Sequence, residues 1–427
     1  MRDLREDQRE VNGTANRITV YHPATQHSLM LARALSKEGY ETSLVTRFEA
    51  ESARRQSIIA RSAYHVLGSS RAMQRAIENR SASDVRSFST DPVGILVGRF
   101  IGETVGKSIQ RRFDRPRMRR SARVAIKLME QQLQPELVVA AETGALELFD
   151  EADASLPVVI DVAHPHPKEV DRCRQVAAKR YPDFLPSWDD PPLEVSGWER
   201  LDRALARATR IWTASRYTAE AVSQFADTEA HIDIVGYGVP RQLESSPRST
   251  YEGRYLFVGA VGLRKGVPLL LEAWARSGLA SEGCVLDLVG RELDKTVEAL
   301  SARTAGVRRH VDISSEALRR LLSQADALLS PSYCEGFGIV LIEAVSFGIP
   351  FLATRTGAVE DILGKDLNEW SVEVDDLEGF TEVLLRFHRE GSSRANYLDA
   401  IRSMQECWTD EAYGMRLRSA VEKVLRV

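Results

Sequence analysis

Two carboxylates, Glu335 and Glu343, bracket a Gly-x-Gly in the stretch Ser330-Pro331-Ser332-Tyr333-Cys334-Glu335-Gly336-Phe337-Gly338-Ile339-Val340-Leu341-Ile342-Glu343-Ala344, with seven residues between them. A short apolar run, Ala327-Leu328-Leu329, feeds the polar turn, and the residues after Gly338 read as a buried helix. Strand, glycine loop and helix in that order suit an anionic ligand. Glycines let the backbone come close, and the N–H groups of a first helical turn point at the ligand. Gly336, Phe337, Gly338 and Ile339 would present those N–H groups. Glu335, in the loop, can accept hydrogen bonds from hydroxyls beside the anion, and Glu343 would sit poorly in a fully apolar core. A phosphate cradle between two hydroxyl-binding carboxylates fits a sugar nucleotide, with diphosphate in the middle, sugar on one side and ribose on the other. The spacing alone also fits a glycine-bearing strand–helix turn in another α/β protein, with Glu343 in a salt bridge.

A second unit of the same kind lies upstream. Arg254-Tyr255-Leu256-Phe257-Val258-Gly259 reads as a strand, Ala260 to Gly266 as its loop, and a helix follows with Leu269, Leu270, Leu271, Ala273 and Trp274. The loop carries Arg264 and Lys265.

These residues resemble the E-x7-E signature of the retaining glycosyltransferases of family four, which have the GT-B fold. The likeness continues through Phe347-Gly348-Ile349-Pro350 and Thr356-Gly357-Ala358-Val359-Glu360-Asp361, and upstream through Tyr237-Gly238-Val239. It implies an α/β fold of two Rossmann-like domains facing each other across a cleft. It also implies transfer of a sugar from a nucleotide-diphosphate donor, UDP- or GDP-linked, to a hydroxyl with retention at the anomeric carbon. By resemblance, Glu335 holds sugar hydroxyls, Glu343 binds ribose, and Arg264 and Lys265 hold the diphosphate. In the family a histidine after a strand of the first domain lies beside the reacting sugar. The matching position is His164, in Ala163-His164-Pro165-His166-Pro167 after Pro157–Val162. The other reading of His164 is a pair with Asp161 that pins the loop.

The chain departs from the family in two places. Relatives carry a glycine pair after the first strand, where this chain has His22-Pro23-Ala24-Thr25-Gln26-His27-Ser28. The more common arginine after the strand glycine is replaced by Ala260, and Arg264 takes over its role. His22 and Asp161 are the candidates on the acceptor side, and the acceptor would be a glycan, a lipid-linked saccharide or a small molecule. That places the chain in glycan, glycolipid or cell-surface polysaccharide biosynthesis. With no Asp-x-Asp motif, metal-independent transfer without a cofactor is expected, the cations and helix N-terminus standing in for a divalent ion. A sugar phosphorylase of the same fold, taking phosphate as acceptor, and a non-catalytic partner subunit stay open. Intact Arg264, Lys265, Glu335 and Glu343 argue against the subunit.

The elements that position these residues follow from the rest of the chain. Its 427 residues argue for two or three domains. A 43% hydrophobic and 28% charged composition is that of an ordinary globular chain, and a net charge of −4 gives no reason to expect nucleic acid as a partner. Cys173, Cys284, Cys334 and Cys407 are far apart, which argues against a disulfide framework or a zinc site and fits a reducing cytosol. The charged stretch Met1–Glu10 does not read as a signal peptide, and no apolar run approaches the roughly 20 residues of a membrane span. A cytoplasmic location is expected.

The expected organisation is a disordered tail (1–16), an N-terminal Rossmann-like acceptor domain (17–240), a linker (241–253) and a C-terminal nucleotide-sugar domain (254–410). A last helix, about 411–427, packs back on the first domain in the resembling family. Strand–helix–strand alternation, as in Arg17–Tyr21, Leu29–Leu35 and Thr42–Thr46, indicates parallel sheets. A strand is expected at Val311-Asp312-Ile313 and a helix over Glu199–Ala208. Between Arg99 and Lys127 there are ten Arg or Lys against Glu103 and Asp114, just after apolar Val93–Val97 and Phe100-Ile101. That segment reads either as a contact for anionic lipid at the inner membrane face or for an anionic acceptor, or as a solvated helix whose arginines pair locally. Gly102 to Ser108 resembles a nucleotide P-loop but has three residues between its glycines where four are needed, so a P-loop ATPase is set aside.

Overall fold

In a computed structural model of the protein, the structure describes residues 16–23, 27–47, 85–91, 107–151, 156–189, 195–241 and 251–426. Nearly all of the expected N-terminal tail, most of the expected linker, most of the P-loop look-alike, the apolar run Val93–Ile101 and the middle of the His22 loop lie outside these residues.

The first sheet holds β1 (Arg17–His22), β2 (Glu41–Thr46), β3 (Arg86–Ser89), β4 (Leu137–Ala141), β5 (Val158–Val162), β6 (Arg210–Thr213) and β7 (His231–Ile234). Among the described residues its order is β3-β2-β1-β4-β5-β6-β7. β1 pairs in parallel with both β2 and β4. A parallel sheet needs helices over both faces, so its strands read as continuous apolar runs. Leu137–Ala141 and Val158–Val162 are accordingly buried throughout.

The second sheet holds β8 (Arg254–Val258), β9 (Val285–Val289), β10 (Val307–His310), β11 (Ala327–Ser330), β12 (Phe351–Thr354) and β13 (Ser371–Val372). Its order is β10-β9-β8-β11-β12-β13, and β8 pairs in parallel with β11 through Tyr255–Ala327 and Leu256–Leu328. From β8 the chain winds outward through β9 and β10, then returns to β11 and winds the other way. The topological switch point therefore lies between β8 and β11, and open α/β sheets bind their ligands outside the carboxyl ends of such neighbours. The two loops singled out above, 259–266 and 331–338, leave from β8 and β11.

Contacts divide the chain into two compact units, Met1–Val159 with Val421–Val427, and Ile160–Ala420. Every contact drawn on for the candidate site below lies within the second of these.

Two expectations are corrected. The strand expected at Val311–Ile313 is Val307–His310, and Asp312 beyond it has φ 54°. Val307-Arg308-Arg309-His310 is polar because β10 is an edge strand, half solvated, and an apolar-run criterion passes over it. The helix expected over Glu199–Ala208 is Val195–Leu205. Within the basic segment the described residues form a helix, Lys107–Leu128, with Pro116 inside it. There Arg117 pairs with Asp91 at 2.6 Å and Arg123 with Glu151 at 2.7 Å, the local pairing that was one of its two readings.

Helix Val267–Ser277 buries Leu269, Leu270, Leu271, Ala273 and Trp274 beside the second sheet. Trp274 is fully buried, meets Tyr255 of β8 edge-on at 5.4 Å, and donates its indole N–H to the Ala305 carbonyl at 2.9 Å. Trp274→Ala leaves a large cavity and an unpaired carbonyl, so it should lower unfolding free energy by about 3–5 kcal/mol in denaturant titration.

Candidate active site

The loop after β8 is shaped by Gly266, which caps helix Val267–Ser277 in the left-handed region (φ 68°). A Cβ there would lie 1.8 Å from the Pro331 carbonyl oxygen. Only glycine lets this loop close against the start of the loop after β11. Tyr333 N–H then donates to the Arg264 carbonyl at 2.8 Å, tying the two together.

The three ionic side chains of the two loops meet, and Asp189 joins them from outside the loops. Lys265 Nζ forms a hydrogen-bonded ion pair with Glu335 Oε2. Arg264 Nη1 lies 4.0 Å from the same oxygen and donates to the Cys334 carbonyl at 3.2 Å. Arg264 also forks onto Asp189, with Nη2 3.0 Å from Oδ2 and Nε on Oδ1. Arg264, Lys265 and Glu335 keep only 15%, 18% and 17% of their side-chain surface exposed. Burial works against ionisation of Glu335, but Lys265 and Arg264, with a contribution from His164, outweigh it and hold the carboxyl below its usual range. Asp189 is likewise held low, burial being outweighed by Arg264.

Glu343 behaves in the opposite way. It lies in helix Ile339–Ser346, whose N-cap is Gly338 at φ 84°. Burial raises its pKa, and no ion pair offsets this among the described residues. Two carboxylates in one motif are thus tuned apart, Glu335 towards the anion and Glu343 towards the acid. A raised carboxyl pKa disfavours the fold at pH above the unfolded value, and the cost disappears as pH falls through the unfolded value. Glu343→Gln should therefore raise the melting midpoint of the ligand-free protein at neutral pH.

Gly336 is where the β11 loop meets the end of β5. A Cβ on Gly336 would sit 1.9 Å from the Ala163 carbonyl oxygen and 3.1 Å from His164 Cα. The Gly336 carbonyl accepts from Ser215 Oγ at 2.5 Å and Thr218 Oγ1 at 2.9 Å, at the start of helix Arg216–Phe225. Ser215 also caps that helix by accepting the Thr218 N–H, so one hydroxyl serves both tasks. Phe337 anchors the loop by packing edge-on against Tyr237 at 4.9 Å and beside Trp408 at 5.8 Å. Its carbonyl accepts the Ala358 N–H at 2.8 Å, which joins Thr356–Asp361 to the loop.

The two nearby histidines separate clearly. His164 is exposed beside the Gly336 backbone and contributes to the potential at Glu335. His166 is buried and caps helix Pro167–Arg180, its Nδ1 accepting the Lys168 N–H. That places the ring proton on Nε2, 2.9 Å from Asp202 Oδ1. Burial holds the His166 pKa down, with Asp202 partly opposing. It is a structural residue.

The structure therefore brings together His164, Arg264, Lys265, Glu335, Gly336, Phe337 and Gly338, with Ile339 opening the helix. Asp161 is buried inside β5, and after burial its charge is the next influence raising the Tyr413 phenol pKa. His22 ends β1 in the other unit, buried, with its ring 5.7 Å from that of His27. Sequence reasoning missed Asp189, Ser187 and the paired hydroxyls of Ser215 and Thr218. Among the described residues no three His, Cys, Asp or Glu side chains group as a metal-binding set, and no helix is long and apolar enough to cross a membrane.

The fold is that of the GT-B glycosyltransferases. Sucrose-phosphate synthase from Thermosynechococcus elongatus superposes with a TM-score of 0.66 at 15% identity, covering 96% of this chain and 99% of that one. The Anabaena protein HepE in complex with UDP and glucose gives 0.61 at 13% identity, over 95% and 99%. Residues 240–404 match the family described as glycosyl transferases group 1. Among characterised relatives, an MMP alpha-(1->4)-mannosyltransferase of Mycolicibacterium hassiacum is 28% identical over 52% of this chain and 54% of its own length. The lipopolysaccharide glucosyltransferase WaaG of Escherichia coli is 39% identical over 39% of this chain and 44% of its own length. The matched part thus spans about half the length of these relatives.

Proposed function

We propose that this protein transfers a sugar from a nucleotide-diphosphate donor to a hydroxyl acceptor, with retention at the anomeric carbon. The observation that carries the reading is the meeting of Lys265, Arg264 and Glu335 at the switch point of the second sheet, against the Gly336–Gly338 turn. Two cations and a helix N-terminus aimed at one place suit a diphosphate. Lys265 pairs with Glu335, and an ammonium with three donors can hold a phosphate and the carboxylate together. Glu335, ionised by the same cations, then accepts hydrogen bonds from sugar hydroxyls. In this reading His164 serves the sugar side; a Cβ on Gly336 would come 3.1 Å from its Cα.

In this reading the bond from C1 to the oxygen of the distal phosphate breaks, a bond from C1 to the acceptor oxygen forms on the same face, and the acceptor hydroxyl's proton passes to the departing diphosphate. Charge grows on the departing diphosphate, and Arg264 and Lys265 are already in place to stabilise it, supplying positive charge without a metal ion. Glu343, on the following helix, takes the ribose hydroxyls. Glu343→Gln should weaken donor binding about tenfold through loss of a charged hydrogen-bond acceptor, in contrast to its gain in stability. Relatives solved with UDP make uridine donors the first to try, followed by GDP-sugars. The acceptor belongs to glycan, glycolipid or cell-surface polysaccharide synthesis, as for the lipopolysaccharide glucosyltransferase it resembles.

The test is a melting-point screen with UDP-, GDP- and ADP-sugars, followed by NMR of the product formed from the stabilising donor. A ligand that binds only the folded state raises its midpoint. An α-linked product from an α-linked donor supports the reading, and inversion at C1 would remove the retaining mechanism.

A further inference from the structure

Residues 180–189 have no part in the functional reading so far, yet they bind the cation loop at several points. Helical turn Pro182–Ser187 leads to Asp189. Ser187 Oγ accepts the Leu263 N–H at 2.9 Å, and Gly262 packs so closely on Ser187 that a Cβ would come 2.4 Å from its carbonyl oxygen. Just before the turn, Tyr181 donates its hydroxyl to Glu272 on helix Val267–Ser277 at 2.8 Å. Asp189 then takes the Nε and Nη2 edge of Arg264 in a two-pronged pair.

The two ion pairs of the site differ in construction. Lys265 meets Glu335 through a single ammonium on a flexible stem, a contact that can be exchanged. Arg264 meets Asp189 through a planar fork, which fixes the plane of the guanidinium as well as its position. That fork points the remaining nitrogen, Nη1, at the Cys334 carbonyl and Glu335. We propose that Asp189 is a positioning residue, holding Arg264 in the orientation that receives the distal phosphate of the donor. The inference rests on the functional reading above. It extends that reading by assigning diphosphate recognition partly to a segment some 75 residues from the cation loop.

The charge balance sharpens the expectation. Arg264, Lys265, Asp189 and Glu335 sum to zero, so an arriving diphosphate must draw on cations that already have partners. If Asp189 merely competed for Arg264, its removal would tighten binding of a diphosphate. If it positions Arg264, removal weakens binding of the diphosphate in particular, because the second phosphate loses an aligned guanidinium while the nucleoside contacts remain.

The experiment is calorimetric titration of UDP against UMP, and of GDP against GMP, into the full-length protein and the variants Asp189→Asn, Arg264→Lys and the double variant. The wild type should bind one diphosphate more tightly than its monophosphate. Asp189→Asn, nearly isosteric, should reduce that preference about tenfold. Arg264→Lys keeps the charge but loses the fork, and should reduce the preference similarly. Adding Asp189→Asn to it should change little further, since both act through one guanidinium. An unchanged preference in Asp189→Asn, an equal loss for both phosphate states, a raised preference, or additive losses would each overturn the proposal. Should Asp189→Asn fail to fold, an unchanged preference in Arg264→Lys overturns it. A wild type that shows no preference for either diphosphate overturns the functional reading itself.

Discussion

Glu335→Gln is expected to lower sugar transfer by roughly 100-fold while leaving the fold intact, the scale on which loss of one preorganised charged contact at a reacting centre is felt. The substitution keeps shape and one acceptor oxygen. It removes the charge that Lys265 and Arg264 hold in place, so the sugar hydroxyls lose a charged acceptor and the two cations lose their local balance. The melting curve provides an internal control. A carboxyl whose folded pKa is depressed adds stability above its unfolded value, about 4.3, and loses it as pH falls through the folded value. The wild type should therefore melt above the Gln variant at neutral pH, and the difference should shrink under acid. Unchanged turnover in Glu335→Gln would remove this residue from the reaction.

Gly336→Ala should be more damaging, and in a different way. The added Cβ would lie 1.9 Å from the Ala163 carbonyl, which is backbone and cannot rotate away. The β11 loop must then lift from the end of β5, and the Gly336 carbonyl moves away from Ser215 and Thr218. Overpacking and disrupted buried hydrogen bonds together should cost about 2–4 kcal/mol in denaturant unfolding. Transfer should fall at least as far as in Glu335→Gln, because Glu335 and His164 separate. Donor affinity should fall less than turnover, since Arg264 and Lys265 stand on the other loop. Wild-type turnover in a folded Gly336→Ala protein would show that contact between the β11 loop and Ala163-His164 is not needed for transfer.

The parts of the site that were legible in the sequence share one property: their chemistry is written locally. A strand, a glycine turn and a helix occupy about fifteen consecutive residues, so Glu335, Gly336, Gly338 and Glu343 could be proposed from pattern, and Arg264 and Lys265 from the family resemblance of their loop. The parallel sheets were legible for the same reason, each strand being a short apolar run between helices. Asp189 was not legible. Its segment is broken by prolines and irregular, and its partner lies far along the chain, so nothing local marks it. The hydroxyls of Ser215 and Thr218 look like an ordinary helix start, which they also are; their second task appears only when the Gly336 carbonyl is brought to them. Strand β10 was misplaced because a solvated edge does not need apolar residues. His164 and His166 show a further limit. Both follow β5, and only burial and hydrogen bonding separate the exposed one from the helix cap.

The central claim is that Lys265 and its neighbours form a diphosphate site. The most direct measurement is calorimetric titration of UDP and of GDP into the wild-type protein and into Lys265→Ala. Binding of one nucleotide by the wild type, weakened about 30-fold or more in a Lys265→Ala protein that still unfolds cooperatively, is the predicted result. Binding of neither nucleotide, or equal binding by both proteins, would contradict it.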